Sequence, residues 1–188
     1  MKTFMIGGAR SGKSSLAARW AAERSQKVCC VVTATVADDE MAARIQLHRR
    51  ERPQHWRVRE EPLRLDAALQ EEARSGDLLL VDCLTLWTAN CLWPPTLMPT
   101  STSDQTSATT DFQPDLLGWH AQRDAFLNAL RATQGEIIIV SNEVGTSLVP
   151  ENAAARLFRD EQGRLNQLVA AACNEAFLVT AGLALRLK

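Results

Sequence analysis

Hydrophobic and polar positions divide the chain into two kinds of segment. Short apolar runs, which predict strands, lie at 3–6, 28–33, 78–81, 136–140, 176–180 and 183–187, and 55–61 predicts a short extended piece. Stretches with apolar residues three and four positions apart predict helices at about 13–24, 38–50, 63–74, 84–92, 115–133 and 151–173. Strands and helices therefore alternate along most of the sequence.

This alternation predicts an α/β fold of three layers, in which helices cover both faces of a largely parallel central sheet. The run at 78–81 is continuously apolar, which is typical of a strand buried on both faces. The segment 93–114 is rich in Thr, Ser and Pro and predicts a flexible loop. Because the segments on each side of this loop continue one pattern, we expect a single domain over residues 1–188.

Composition and charge narrow the possible functions. The formal net charge is −1, which argues against a nucleic-acid partner or a membrane surface. No apolar run approaches the ~20 residues of a membrane-spanning helix, and the first residues predict no signal peptide. The five cysteines show no C-x-x-C spacing, so they predict neither a disulfide framework nor a metal cluster. We expect buried thiols in a protein of the reducing cytoplasm.

The sharpest motif follows the first predicted strand. Residues 7–14 read G-G-A-R-S-G-K-S, which matches the phosphate-binding loop G-x-x-x-x-G-K-S/T between a strand and an amphipathic helix. Successive backbone N–H groups of such a loop point at phosphates, Lys13 can reach the β- and γ-phosphates, and Ser14 can hold Mg²⁺. The alternative is a glycine-rich turn that ends in Lys-Ser by chance. The order of strand, loop and helix favours a P-loop NTPase-like fold.

A carboxylate follows the buried strand at 78–81. Asp82 stands where this fold places a carboxylate that coordinates Mg²⁺ or accepts a hydrogen bond from a water bound to the ion. The alternative is an Asp that caps the helix beginning at Leu84. Both interpretations remain open at the level of sequence, and the strand-end position favours the metal-side one.

The predicted helix at 38–50 contains a histidine on its inward side. Met41, Ile45 and His48 share one face because they are four and three residues apart. From spacing alone, the favoured interpretation is a partly buried, hydrogen-bonded histidine beside a solvated basic stretch. The alternative is a nucleophile, since a neutral imidazole can attack a phosphate when nearby cations offset the charge of its oxygens. The candidate cations are Arg49, Arg50 and Arg52.

Two further groups of polar residues allow a structural and a functional interpretation. Asn142 and Glu143 end a predicted strand on the side where ligands bind in such sheets, and they could line a substrate site or cap a turn. Arg156, Asp160 and Arg164 are four residues apart along the last predicted helix, which favours a ladder of ion pairs over a substrate clamp.

Several sequence pieces occur in an order that resembles a known family. They are residues 7–14 above, D-D-E-M-A-A-R-I at 38–45, H-R-x-x-R-P-x-H-W at 48–56, N-E-V-G-x-x-x-V-P-E at 142–151 and R-x-F-R-D-x-x-G-R-x-N-Q at 156–167. Together they resemble the bifunctional adenosylcobinamide kinase / adenosylcobinamide-phosphate guanylyltransferase family of cobalamin biosynthesis. The resemblance covers nearly the whole chain and fails only around 93–117.

The resemblance implies two reactions. The enzyme phosphorylates the aminopropanol hydroxyl of adenosylcobinamide with ATP or GTP, and it then transfers GMP from GTP to that phosphate through a covalent GMP–histidine, here His48. Lys13 is the second implied catalytic residue, Mg²⁺ the implied cofactor, and Ser14 and Asp82 its implied ligands. The implied nucleotide contacts are Gly7, Gly8, Ala9, Arg10, Ser11, Gly12, Lys13, Ser14, Ser15, Thr33, Ala34, Thr35, Arg49, Arg50, Glu51, Arg52, Glu60 and Asp82.

The chain departs from the family pattern at two positions. Some relatives carry a second histidine just before the nucleophile, where this chain has Leu47, so His48 is the only candidate in that helix. Relatives can have Glu where this chain has Asp82, which keeps the carboxylate but shortens it by one methylene.

Other functions remain as alternatives to the bifunctional enzyme. One is a P-loop small-molecule kinase in which His48 is structural, and another is a nucleotide-dependent switch with slow hydrolysis. The resemblance further implies GTP, ATP, adenosylcobinamide and its phosphate as partners, and a homo-oligomer that is a trimer.

Overall fold

A seven-stranded sheet forms the centre of the protein, for which a computed structural model describes residues 1–35, 52–94 and 113–188. The strands run in the order β3-β2-β4-β5-β1-β6-β7. They are β1 (Lys2–Gly7), β2 (Val28–Val32), β3 (Arg57–Glu60), β4 (Leu78–Asp82), β5 (Ile137–Asn142), β6 (Glu175–Thr180) and β7 (Leu183–Arg186). The predicted helix at 38–50 and nearly all of the predicted loop at 93–114 lie outside the described residues.

Five α-helices accompany the sheet in the described part of the chain. They are α1 (Lys13–Arg24), α2 (Leu65–Glu72), α3 (Leu84–Leu92), α4 (Leu116–Ala132) and α5 (Ala153–Ala172). The predicted bounds of α1 and α3 are confirmed. The helices α4 and α5 begin later than predicted because Asp115 and Asn152 act as N-caps, their side chains accepting from the backbone N–H groups of Gly118 and Ala155.

The sheet is parallel except at one edge. The pairs β1–β5, β1–β6, β2–β3, β2–β4 and β4–β5 are parallel, whereas β7 turns back antiparallel to β6. The largely parallel α/β architecture predicted from the sequence is confirmed. The chain leaves β1 toward β2 on one side and later crosses to β6 on the other, so the carboxyl end of β1 lies at a point where the strand order reverses. Ligands bind at such points in open α/β sheets.

Each face of the sheet has its own apolar core. On one face, Leu16, Ala17 and Ala21 of α1 pack on strand residues that include Met5 and Val140. On the other face, α2, α3, α4 and α5 contribute buried residues, among them Trp87, Trp119 and Phe126. The three layers predicted from the sequence are therefore present in the described residues, and the alternating strand positions explain which side chain serves which face.

The carboxyl-terminal hairpin supports the loop that follows β1. The N–H of Gly182, in the turn between β6 and β7, donates to the carbonyl of Ser11 at 2.9 Å. A side chain at Gly12 would lie 3.1 Å from the Cα of Gly182, so these two backbones approach closely. The turn between β6 and β7 thus supports the loop after β1 through a backbone hydrogen bond and close backbone packing.

Among the described helices, none combines the length and the apolar character that a membrane span requires.

Two adjacent glycines of the loop should respond differently to a methyl group. A Cβ at Gly7 would collide with the carbonyl oxygen of Val179 and lie 2.7 Å from Ser11 Oγ, whereas a Cβ at Gly8 meets nothing within 4 Å. We expect Gly7→Ala to lower the free energy of unfolding by about 1–3 kcal/mol, as overpacking does. Gly8→Ala, the matched control, should leave it unchanged in urea-induced unfolding. Equal stabilities of the two variants would contradict the close packing of β1 against β6.

Candidate active site

The loop between β1 and α1 has the backbone shape that binds phosphates. Gly12 has φ 88° and Arg10 has φ 55°, and the N–H of Ser11 donates to the carbonyl of Gly8 at 3.3 Å. Such left-handed positions turn successive N–H groups toward one side of the backbone, where they attract anions. The positive end of α1 adds to this, because the helix begins at the last residues of the motif.

Lys13 lies along this loop rather than in solvent. Its Nζ donates to the carbonyl of Gly8 at 3.1 Å, and the residue is only 7% exposed. Burial lowers the pKa of Lys13 from its usual range, while neighbouring Cys83 and Asp82 act in the opposite direction. The Lys13 ammonium group is therefore partly withdrawn from water, and the phosphate oxygens of a bound triphosphate would replace the lost hydration.

A hydroxyl, a carboxylate and a guanidinium meet beside the loop. Ser14 Oγ donates to Asp82 Oδ1 at 3.2 Å, and Arg52 Nη2 lies 3.3 Å from Asp82 Oδ2. The helix-capping interpretation of Asp82 is wrong, because α3 is capped by Cys83 without any side-chain hydrogen bond. Tertiary structure thus connects three residues that are 38 and 30 positions apart in the sequence.

The donor set at this position fits a magnesium ion. Ser14 and Asp82 offer hydroxyl and carboxylate oxygens, the ligand types that Mg²⁺ prefers. Across residues 1–35, 52–94 and 113–188, no group of three or more His, Cys, Asp or Glu side chains is placed to hold a metal ion by itself. A metal here would rely on one or two protein ligands and on substrate phosphates, which is the usual mode for Mg²⁺.

The residues that follow β2 are arranged to support the site. Thr33 is fully buried, and its Oγ1 donates to the carbonyl of Cys83 at 2.7 Å and accepts from its N–H at 3.1 Å. Ala34 is half-buried and Thr35 is exposed. The side chain of Thr33 therefore ties β2 to the end of β4. Asn90 also belongs to this arrangement, because its side-chain amide donates to the carbonyl of Thr33 at 2.9 Å; no motif in the sequence marks it.

Two of the predicted nucleotide contacts, Arg52 and Glu60, line a cavity of about 420 Å³. It is lined by Arg52, Pro53, Gln54, Trp56, Val58 and Glu60. Trp56 is buried, and its indole N–H has no hydrogen-bond partner in the part of the chain that the structure describes. A second cavity of about 440 Å³ lies at the amino ends of β1 and β5, away from the phosphate loop.

Four predicted site residues are not placed by the structure. His48, Arg49, Arg50 and Glu51 lie outside the described residues, so the histidine interpretation stays a prediction. Ser15 is exposed on the first turn of α1, and Glu60 is exposed at the end of β3.

The two structural alternatives left open by the sequence have different outcomes. Glu143 caps a turn, because its Oε1 accepts from the N–H of Gly145 at 2.6 Å. The predicted ion-pair ladder on α5 is wrong: Arg156 donates to the carbonyls of Pro150 and Glu151, and Arg164 pairs with Glu161 instead of Asp160.

The cysteines do not offer a nucleophile. All five are free and buried. Burial raises the pKa of Cys29 to about 11 and the pKa values of Cys30, Cys91 and Cys173 to about 12. Burial also raises the pKa of Cys83. These thiols are therefore protonated at neutral pH, and the prediction of buried cysteines is confirmed.

Comparison with known proteins gives closely similar relatives over the full chain. The bifunctional adenosylcobalamin biosynthesis protein CobP of Pseudomonas aeruginosa is 43% identical over 188 residues, covering 100% of this chain and 98% of that protein. The bifunctional adenosylcobalamin biosynthesis proteins CobU of Escherichia coli K12 and Salmonella typhimurium are 36% and 35% identical, with 100% of both chains covered in each case.

Among solved structures, the RadB recombinase superposes with a TM-score of 0.47 at 15% identity, covering 94% of this chain and 73% of that chain.

The sequence profile of the family described as cobinamide kinase / cobinamide phosphate guanyltransferase matches residues 3–187. The resemblance inferred from the ordered motifs is therefore confirmed, and the chain belongs to this family of bifunctional enzymes of cobalamin biosynthesis.

Proposed function

We propose that this chain phosphorylates the aminopropanol hydroxyl of adenosylcobinamide with ATP or GTP and then transfers GMP from GTP to that phosphate through His48. The observation that carries the proposal is the meeting of Ser14, Asp82 and Arg52 beside a loop of phosphate-binding shape. Family membership supports both reactions. The alternative, a kinase without guanylyltransferase activity, shares the first step only.

The kinase step needs positioning and charge stabilisation more than a strong base. The acceptor hydroxyl oxygen forms a bond to the γ-phosphorus while the bond from that phosphorus to the β,γ-bridging oxygen breaks. The nucleoside diphosphate leaves, and the hydroxyl proton passes to a phosphate oxygen or to water. Lys13 and the N–H groups of residues 7–14 stabilise the charge that moves onto the leaving oxygens.

Ser14 and Asp82 are the residues that would hold Mg²⁺. The ion, when bound, neutralises charge on the β- and γ-phosphate oxygens. Arg52 has a separate task, since its guanidinium pairs with the far oxygen of Asp82 and orients that carboxylate toward Ser14.

The guanylyl transfer requires a nucleophile near the α-phosphate. An imidazole nitrogen of His48 bonds to the α-phosphorus as the bond to the α,β-bridging oxygen breaks and pyrophosphate leaves. An oxygen of the acceptor phosphate then displaces the histidine. Four residues span at most about 14 Å, so chain length limits the Cα of His48 to that distance from the Cα of Arg52, whose side chain contacts Asp82.

The nucleotide site combines the loop with two flanking segments. Residues 7–15 bind the phosphates, and the cavity lined by Arg52, Trp56 and Glu60 is of a size that suits a nucleobase. Ala34 and Thr35 contribute from the end of β2, where Thr33 holds them through Cys83. Arg49, Arg50 and Glu51 complete the set.

Cellular setting and assembly are parts of the same proposal. Five free thiols fit the reducing cytoplasm. A homo-oligomer, a trimer by resemblance, would have a surface available along β7 and the residue after it, where Leu183, Leu185 and Leu187 are exposed at alternating positions.

Replacing Lys13 should separate activity from stability. We expect Lys13→Met to lower kcat of the phosphorylation by at least ~100-fold, because the phosphates lose a directed charge in a sheltered site. The unfolding midpoint at pH 7 should stay equal or rise. Because folding lowers the Lys13 pKa, the unfolded state binds more protons between the folded value and the usual value near 10.5; wild-type stability therefore rises with pH through that window.

Urea unfolding from pH 7 to pH 10.5 checks the stability part of this expectation. Lys27→Met, an exposed lysine, is the matched control and should change neither activity nor the pH dependence. A large loss of stability in Lys13→Met would show that the lysine serves the fold instead.

The histidine intermediate is tested with GTP labelled at the α-phosphate. We expect the protein to acquire an acid-labile, alkali-stable label, because phosphoramidates hydrolyse in acid. His48→Ala should abolish the label while phosphorylation with γ-labelled nucleotide continues.

The other two histidines serve as controls for this experiment. His55 is exposed, and His120 lies 3.5 Å from Glu161 on the opposite face of the sheet from α1. His55→Ala and His120→Ala should both retain the label. Phosphorylation of the corrinoid with no adduct in any variant would favour the plain kinase, and label surviving in His48→Ala would sink the assignment of the nucleophile.

A further inference from the structure

A few buried polar atoms have no hydrogen-bond partner in the described part of the chain. They are Ser11 Oγ, Trp56 Nε1, Gln122 Oε1, Asn142 Oδ1, Arg159 Nη1 and Gln162 Oε1. Buried polar atoms are normally paired, so an unpaired one in a folded enzyme calls for an explanation. Asn142 is notable among them because it ends the strand that lies between the phosphate loop and Asp82.

The sheet register fixes where Asn142 stands. It is the direct partner of Gly7, where the phosphate loop begins, on one side of β5. On the other side of β5, Asp82 is the partner of Val140, two residues earlier. Neighbouring strands are ~4.8 Å apart. Asn142 therefore occupies the carboxyl end of the strand between the two elements that carry the phosphate-binding and metal-binding groups.

Strand alternation fixes the direction in which its side chain points. Ile138 and Val140 pack in the same cluster as Leu16 and Ala17 of α1. Positions 138, 140 and 142 share one face of β5, so Asn142 projects to the face that α1 covers. The first turn of α1 carries Lys13 and Ser14. The carboxamide thus faces the side of the sheet on which phosphates would bind.

The backbone of Asn142 is held by side chains from two helices. Its N–H donates to Thr85 Oγ1 at 2.8 Å, and its carbonyl accepts from Asn166 Nδ2 at 3.1 Å. Asn166 is itself oriented by a bond from Ser141 Oγ at 2.7 Å. This support preorganises the strand end while leaving the carboxamide oxygen unpaired, which is the arrangement expected of a residue that meets a substrate.

The turn-capping role that the sequence allows for Asn142 is performed by the next residue in the chain. Glu143, and not Asn142, caps the turn that follows β5. The side-chain oxygen of Asn142 caps no N–H in the described residues.

We propose that Asn142 contacts the acceptor in the kinase step, its Oδ1 accepting a hydrogen bond from the acceptor's hydroxyl beside the terminal phosphate. The inference rests on the proposed function and adds a residue to its first reaction. The bond directs the hydroxyl oxygen at the γ-phosphorus. The oxygen–phosphorus bond forms as the β,γ-bridging oxygen departs with the diphosphate. The proton leaves to a phosphate oxygen, because a carboxamide is no base at neutral pH.

The test compares the two reactions of one enzyme. We expect Asn142→Ala to lower kcat for phosphorylation of adenosylcobinamide by ~10–100-fold, the size of effect that lost orientation produces. The Kd of a fluorescent GTP analogue should stay within about twofold. The kcat for transfer of GMP to chemically prepared adenosylcobinamide phosphate should also stay within about twofold of the wild-type value. That acceptor attacks through a phosphate oxygen, which carries no hydroxyl proton for Asn142 to bind.

Two further variants make the result specific. Asn142→Asp keeps an oxygen acceptor at the same position and should retain more phosphorylation than Asn142→Ala at saturating nucleotide. Asn128→Ala removes an exposed asparagine of α4 and should match the wild type in both reactions. If Asn142→Ala does not fold, Asn142→Leu, which keeps the volume without the hydrogen bond, is judged by the same criteria.

Three outcomes would overturn the inference. The first is a kcat for phosphorylation in the alanine or leucine variant that equals the wild-type value. The second is an equal loss of both reactions together with weaker nucleotide binding, which marks a structural role. A wild-type enzyme that fails to phosphorylate adenosylcobinamide at all would remove the proposed function along with this inference, whereas the first two outcomes leave that function standing.

Discussion

The parallel pairing of β1 between β5 and β6 is the constraint on which the site depends. It brings the phosphate loop beside the end of β5, and β5 in turn is paired with β4 and its Asp82. The contact of Ser14 with Asp82 crosses from the start of α1, which follows β1, to the end of β4. A slip of one residue in any of these pairings would turn the strand-end side chains to the opposite face. The strands β1, β4 and β5 are apolar and buried on both faces, and this burial opposes such a slip.

The two cations beside the loop differ in their partners, because Arg52 pairs with a carboxylate and Lys13 contacts a backbone carbonyl. Within the described residues, Asp82 is the carboxylate that contacts both Ser14 and Arg52, while Lys13 reaches a backbone carbonyl. Burial of the Lys13 cation lowers the free energy of unfolding, and the lowered pKa of Lys13 reflects the same loss of hydration. A triphosphate with Mg²⁺ would satisfy that cation. The folded chain thus carries part of the interaction that nucleotide binding completes, and such a trade between stability and function is common at active sites.

Supporting contacts come from parts of the fold far from the motif. The turn at Gly182 holds the loop through Ser11, and Thr33 ties the end of β2 to Cys83. Asn90 reaches the carbonyl of Thr33 from α3. These bonds connect the segment after β2 to the end of β4, where Asp82 lies, and to α3. Asn90 lies on α3, and Gly182, Thr33 and Cys83 each lie directly next to a strand end, so the supports are attached to regular elements.

The sequence by itself determined the alternating strands and helices, the bounds of α1, the phosphate loop and the family, because each depends on local periodicity or on residues adjacent in the chain. It also marked Asp82 as a strand-end carboxylate. Only the tertiary structure decided that Asp82 binds Ser14 and Arg52 instead of capping α3, that Thr33 is a buried tie, that Arg164 pairs with Glu161, and that Asn142 stands between the two site strands. These outcomes depend on strand order and register, which are set by packing between residues distant in sequence and leave no periodic trace within any one segment.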